Sequence, residues 1–391
     1  MPIDAWTRRS FLRAASATGA LAATGLTGCP HKPQSAAPKT PPGTPGSVTV
    51  VPPALPTLRE AGSSRNLLVG CAVNTHALQT DPLYAALIKQ QAGIVVAENA
   101  MKFGPIHPAP DRFSFEEPDA LFAFAQSNGM KVRGHNFVWH RQLPQWFDRD
   151  VTPANATAVL VNHIETVGGR YAGRVHSWDV VNEAIQVSDG LPDGLRNAPW
   201  YKLLGPSYLD LAFRTARRVD PSALLCYNDY DIESEAPEQA AKRAAVLTLL
   251  RGLQQRNVPL DAVGIQAHIK AGGGHHYGPG LQRFMAEVQG MGLKILLTEM
   301  DVNDRALPAD PATRDQAVAA AYRDFLDLTL GSPGVVALLT WGLTDKYTWL
   351  NGEDARPDKL PERCLPFDAD LRPVPAYAAE IEAIRRAPSQ T

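Results

Sequence analysis

The sequence predicts an α/β protein whose folded body is a single (β/α)8 barrel of the TIM type, preceded by a signal peptide and a flexible linker. Three observations predict it. Short apolar, β-rich runs alternate with periodic stretches rich in Ala, Leu and Arg, the pattern of parallel strands covered by helices. The stretch that carries them, about 55–387, suits one closed barrel better than an open sheet. Polar and aromatic residues gather at the ends of successive runs, where the loops of such a barrel converge. An open doubly wound sheet is the structural alternative. No glycine-rich phosphate loop follows the first strand, which removes the usual reason to prefer it.

The chain opens with an address. Thr7-Arg8-Arg9-Ser10-Phe11-Leu12-Arg13 resembles a twin-arginine export signal, and a mild apolar run covers 14–26. Leu26-Thr27-Gly28-Cys29 resembles a lipobox, in which cleavage before Cys29 leaves that cysteine to carry lipid. An ordinary cleaved signal with Cys29 incidental is the alternative. The apolar run is too short and too rich in Ala, Gly and Thr to span a bilayer in the mature protein. The expected location is therefore the periplasmic or extracellular face, anchored to a membrane only through Cys29. Residues 29–56 are rich in Pro, with Ser, Thr, Lys and Gly and little to bury, an extended spacer. The plan is a signal peptide at 1–28, a linker at 29–56 and the barrel at 57–388.

Composition excludes some partners. At 45% hydrophobic and 20% charged, with a net charge of −2, no basic surplus exists for nucleic acid or an anionic lipid surface. A monomer is expected. Besides Cys29 the cysteines are Cys71, Cys226 and Cys364, without paired metal spacing. Cys71 and Cys226 lie in apolar runs and read as buried small hydrophobes rather than a disulfide.

The strand candidates are 67–73, 94–98, 131–139, 175–182, 223–228, 262–268, 294–299 and 335–342. The helix candidates are 82–91, 119–127, 156–171, 208–218, 237–256, 281–291 and 311–330, with a last helix at 376–386. The strand ends carry the chemistry. In order they are Glu98-Asn99 with Lys102; Arg133 to His140; Asn182-Glu183; Tyr227-Asn228-Asp229-Tyr230; Gln266-Ala267-His268; Glu299-Met300-Asp301; and Trp341-Gly342, followed by Trp349. A lone His or Trp in a strand is ordinarily a core residue. So many strands ending this way is hard to attribute to packing.

Trp178-Asp179-Val180-Val181-Asn182-Glu183-Ala184 is the most telling run. A buried strand that ends in Asn-Glu must hydrogen-bond the carboxyl, protonate it, or deliver it to a mouth. Residues two apart in a strand share a face, which places Gln266 with His268 and Glu299 with Asp301. A metal is the competing use of such residues, but no HExxH or tight Asp/His motif is present. No cofactor is expected. Two glutamates on strands four and seven, in a cleft lined by Trp and amides, suit glycoside cleavage. One donates a proton to the leaving oxygen, and the other faces the oxocarbenium-like carbon.

The quoted motifs, with Gly264-Ile265-Gln266-Ala267-His268 and Trp341-Gly342-Leu343-Thr344-Asp345-Lys346-Tyr347, occur in the order of a known family. From about 67 to 377 the chain resembles a glycoside hydrolase family 10 endo-β-1,4-xylanase. The resemblance implies a retaining enzyme acting on xylan or xylo-oligosaccharides, with Glu183 as acid/base and Glu299 as nucleophile. It implies that Asn182 bonds the 2-hydroxyl of the attacked sugar and that His268, held by Asp301, orients Glu299. Glu98, Asn99 and Lys102 would bind the next xylose on the non-reducing side. His135, Trp139, Gln266, Trp341 and Trp349 would surround the attacked ring, with Tyr230 on the leaving-group side. An endoglucanase of the same fold and an anchored sugar-binding lipoprotein without catalysis are the competing readings. The Gly/His-rich segment 271–278 reads as a surface loop, and 350–365 as a second loop bordering the cleft.

Overall fold

The computed structural model describes residues 55–352 and 354–390. The expected signal, the spacer before residue 55 and Cys29 lie outside the described residues. The body begins at Thr57, whose side chain accepts from the Glu60 amide while the Glu60 carboxylate accepts from the Thr57 amide, a reciprocal cap on helix Leu58–Ser63.

Strands β1 (Leu68–Val73), β2 (Ile94–Ala97), β3 (Lys131–Val138), β4 (Ser177–Asn182), β5 (Leu224–Asp229), β6 (Ala262–Ile265), β7 (His268–Lys270), β8 (Lys294–Asn303) and β9 (Val335–Thr340) form one parallel sheet. It closes because β1 pairs with β9 and β6 pairs with β8. This closure excludes the open sheet. Helices lie between the strands, and four of the long ones, Pro237–Gln255, Pro279–Gly290, Pro311–Thr329 and Pro375–Arg386, begin on proline. Proline at the first helical position gives up no hydrogen bond.

The packing separates into an outer and an inner layer. Most apolar side chains fill the space between sheet and helices, Trp178 and Phe137 among them. A smaller cluster drawn from strand positions, including Ile94, Val96, Cys226, Leu296 and Leu339, is capped by Trp341. Cys71, Cys226 and Cys364 are buried free thiols, as the apolar runs around the first two suggested. No helix among the described residues is long and apolar enough to cross a membrane.

The sheet corrects three strand boundaries. The run 262–268 is not one strand: β6 stops at Ile265, Ala267 takes a left-handed φ of 63°, and β7 resumes at His268. The buried Glu233 carboxylate accepts the Ala267 amide at 2.9 Å and holds the break open. β8 does not end at Glu299 but runs on to Asn303, because β7 gives it a partner from Asp301 onward. β9 stops at Thr340, short of Trp341 and Gly342.

The loop at 350–365 also finds its place. Asp304, fully buried at the end of β8, accepts from Arg314 Nε at 2.6 Å and Arg356 Nη1 at 3.2 Å, while its amide donates to Glu362. Asp345 accepts the Cys364 and Leu365 amides at 2.9 and 3.0 Å. Removing Asp304 leaves buried Arg314 without its anion and takes from Arg356 one of the two it has, Asp358 remaining. Asp304→Ala is expected to destabilise the barrel by about 3–5 kcal/mol. It should lower the urea midpoint with an unchanged slope.

Candidate active site

β4 delivers Asn182 and Glu183 to one end of the barrel, and β8 delivers Glu299 to the same end. The two carboxyls are 8% and 5% exposed, so each needs partners. Asn182 Nδ2 and Gln266 Nε2 both donate to Glu183 Oε1 at 3.1 Å. Asn228 Nδ2 donates to Asn182 Oδ1 at 2.8 Å and to Glu299 Oε1 at 2.7 Å. One layer of amides therefore links the two carboxyls. Asn228 in turn donates nothing without being held: Thr298 Oγ1 bonds its Oδ1 at 2.7 Å. Gly264 is glycine because a Cβ there would sit 2.0 Å from that same oxygen.

The other oxygen of Glu299 meets His268 Nε2 at 3.2 Å, and His268 Nδ1 meets Asp301 Oδ1 at 2.9 Å. Asp301 Oδ2 accepts from Trp349 Nε1 at 2.7 Å, so one carboxylate orients the imidazole and the indole together. The break after β6 is what makes this possible. It lets Gln266 turn to Glu183 while His268 serves Glu299, although unbroken strand alternation would put both on one face. Trp341 stands edge-on to His135 and to His268.

The remaining expected residues sort into two groups. Lys102 Nζ donates to Asn99 Oδ1 at 3.0 Å and lies 5.0 Å from the Trp139 ring and 5.4 Å from the Trp341 ring. Glu98 is beside it, and burial raises its carboxyl while Lys102 pulls the other way. Tyr230 meets the site through Arg196, whose guanidinium also bonds the Glu183 carbonyl, and its ring stands against Lys242. His275 and His276 of the 271–278 loop are exposed, and no group of three His, Cys, Asp or Glu among the described residues could hold a metal.

The two carboxyls hold protons with opposite strength. Burial raises Glu183, reinforced by the charges of Asp229 and Glu299, and this outweighs the hydrogen bonds it accepts. For Glu299 burial also opposes the charge. The hydrogen bond from His268 and the nearby His135, His268 and Lys102 overcome it and hold the carboxyl at about 2. His268 is raised despite burial, because Asp301 and Glu299 favour its charged form. Glu183 also sits at a φ of 59°, a left-handed backbone that costs a non-glycine residue about 1–3 kcal/mol and persists only where neighbours impose it.

Against known proteins, the family model described as "Glycosyl hydrolase family 10" matches residues 57–383. The chain belongs to this family. Endo-1,4-beta-xylanase B of Thermotoga neapolitana is 35% identical over 329 residues, covering 82% of this chain and 90% of that one. The thermostable celloxylanase of Thermoclostridium stercorarium is 34% identical, covering 77% and 81%. Among solved structures, xylanase 10B of Thermotoga petrophila in complex with xylobiose superposes with a TM-score of 0.78 at 34% identity, covering 87% of this chain and 99% of that one.

Within this family 10 barrel, motif reading missed several residues that the site uses. Asn228 was visible as a polar strand end, but only the fold shows it touching both Asn182 and Glu299. His140 Nδ1 lies 3.6 Å from Glu183 Oε2, and burial keeps it neutral, down at about 3. Gln142 Nε2 donates to Asn99 at 3.3 Å from a left-handed loop position that no strand pattern marks. Asp179, inside β4, bonds Arg133 and His135 Nδ1. Asn228→Ala removes the donor common to both sides of the site. Its kcat on xylo-oligosaccharides is expected to fall by about 10²–10³-fold, the scale of one preorganised donor, with the melting temperature as the check that the fold survives.

Proposed function

We propose that this chain is an endo-1,4-β-xylanase that cleaves xylan or xylo-oligosaccharides with net retention, Glu183 serving as acid/base and Glu299 as nucleophile. One observation carries the reading. Two buried carboxyls joined through Asn182 and Asn228 hold their protons with opposite strength, so one can donate while the other attacks. In this reading Asn182 bonds the 2-hydroxyl of the attacked xylose, a contact that tightens as charge develops. Glu98, Asn99, Lys102 and Gln142 read the next sugar on the non-reducing side. His135, Trp139, Gln266, Trp341 and Trp349 enclose the attacked ring, and Tyr230 supports the leaving group.

The test is a product profile on glucuronoarabinoxylan, linear xylohexaose and carboxymethylcellulose, with the first-formed anomer followed by proton NMR. Internal cleavage of xylohexaose with the β-anomer appearing first is expected. First appearance of the α-anomer would mean inversion, and faster release from carboxymethylcellulose would mean an endoglucanase. No reducing-sugar release at all would leave only a sugar binder.

We further propose that the enzyme is a monomer exported by the twin-arginine route and anchored through lipid on Cys29. The motifs at 7–13 and 26–29 support this reading. Mass spectrometry of the mature amino terminus should find acylated Cys29, and Cys29→Ala should move the protein from the membrane to the soluble fraction. Gel filtration of the folded domain reads the monomer.

A further inference from the structure

The segment after Glu183 doubles back on itself. Ile185 and Leu195 form an antiparallel bridge, the Gln186 amide donates to Gly194 at 3.0 Å, and the Arg196 amide donates to Ala184 at 2.6 Å. This small hairpin returns Arg196 to the residue where it began. Arg196 Nε then donates to the Glu183 carbonyl at 2.8 Å, and Nη2 donates to the Tyr230 hydroxyl at 3.0 Å. The Glu183 amide donates to the Asn228 carbonyl at 2.8 Å. The left-handed peptide of Glu183 is thus gripped at its carbonyl by Arg196 and at its amide by β5.

Tyr230 is clamped as well. Lys242 Nζ lies 3.7 Å from the centroid of its ring and is itself paired with Asp229 at 2.8 Å. One ring face is taken by the ammonium group, and the hydroxyl is taken by the guanidinium. A lysine at 196 would replace the rigid fork, which aims Nε at one acceptor and Nη2 at the other, with a single ammonium on a flexible stem that is not preorganised for both.

We propose that Arg196 is a positioning residue that couples the acid/base to the leaving-group side of the cleft. A single guanidinium sets the backbone of Glu183 and the orientation of Tyr230 together, so the proton donor and the support for the departing sugar stay in register. The inference rests on Glu183 being the acid/base.

Its consequence depends on the leaving group. A misplaced proton donor harms the departure of a sugar alkoxide, which needs the proton, far more than that of dinitrophenolate, which leaves without one. Arg196→Ala is therefore expected to lower kcat/KM on xylohexaose by about 10²-fold while changing kcat/KM on 2,4-dinitrophenyl xylobioside by less than about threefold. Arg196→Lys should recover only part of the loss. Tyr230→Phe, which deletes one acceptor and keeps the ring, should show the same selectivity in smaller measure. It serves as the readout if Arg196→Ala does not fold.

Equal losses on both substrates would make Arg196 a structural residue only, and no loss on either would make it dispensable; either result overturns the proposal. Glu183→Ala measured alongside separates the two levels of the argument. If it shows the leaving-group selectivity and the Arg196 and Tyr230 variants do not, the coupling alone falls. If Glu183→Ala lacks the selectivity, the acid/base assignment falls and the coupling falls with it.

Discussion

Glu299→Ala is expected to lose activity on every substrate by roughly 10⁵–10⁶-fold, the scale reached when a covalent nucleophile is removed from a hydrolase. The reason lies in what the carboxylate is prepared for. Its Oε1 accepts from Asn228 and its Oε2 from His268, and their hydrogen bonds with the surrounding positive charge hold it ionised in a buried place. A buried anion kept charged at this expense is poised to attack, and no neighbouring carboxyl is ready to replace it. Asp301, two residues on, is already committed to His268 and Trp349. The loss should be independent of leaving-group quality, because both good and poor leaving groups wait on the same attack. A 2-fluoro-xylobioside inactivator should label the wild-type protein once, on the peptide containing Glu299. Intact-mass measurement showing the same label on Glu299→Ala would transfer the role to another residue.

Glu183→Ala should behave differently. On xylan and xylohexaose, kcat/KM is expected to fall by about 10³–10⁴-fold, the upper range for positioned proton transfer. On 2,4-dinitrophenyl xylobioside, kcat/KM should stay close to wild type, while turnover slows because no base remains to activate water against the glycosyl-enzyme. Added azide needs no base and should restore turnover. The pH profile carries a second signature. Burial and two nearby carboxylates raise the Glu183 carboxyl above its ordinary value, so the wild-type acid is protonated at low pH and is lost as pH rises through that raised value. The alkaline limb of wild-type kcat/KM on xylohexaose should therefore belong to Glu183, and Glu183→Ala should lack it in its residual activity on that same substrate. The acidic limb, set by protonation of Glu299, should remain.

Glu183 could be singled out from the linear chain because its run has a physical contradiction in it, and Glu299 because it ends a strand two residues before Asp301, in a motif that resembles the family. Val180 and Val181 are strand formers that bury themselves, and they lead directly into Asn182 and Glu183, which resist burial. Strand alternation likewise paired Glu299 with Asp301 correctly, since both reach His268. The barrel itself was legible from repeated strand and helix periods.

What alternation could not supply was any departure from the extended period. The turn at Ala267 depends on Glu233, more than thirty residues upstream, reaching its amide; no local rule anticipates a left-handed alanine. Asn228, Gln142, His140 and Arg196 became site residues only through partners that closure of the sheet brings near. Local preference and hydrophobic period are properties of neighbouring residues, so they were readable along the chain and led to the strands, the helices and the two acids. Hydrogen bonds between distant segments depend on the angles at which strands meet, and those exist only once the barrel has closed. The bond from Arg196 to Glu183 and the one from Asn228 to Glu299 belong to that second kind, and on them rests the geometry that holds the two carboxyls in one site.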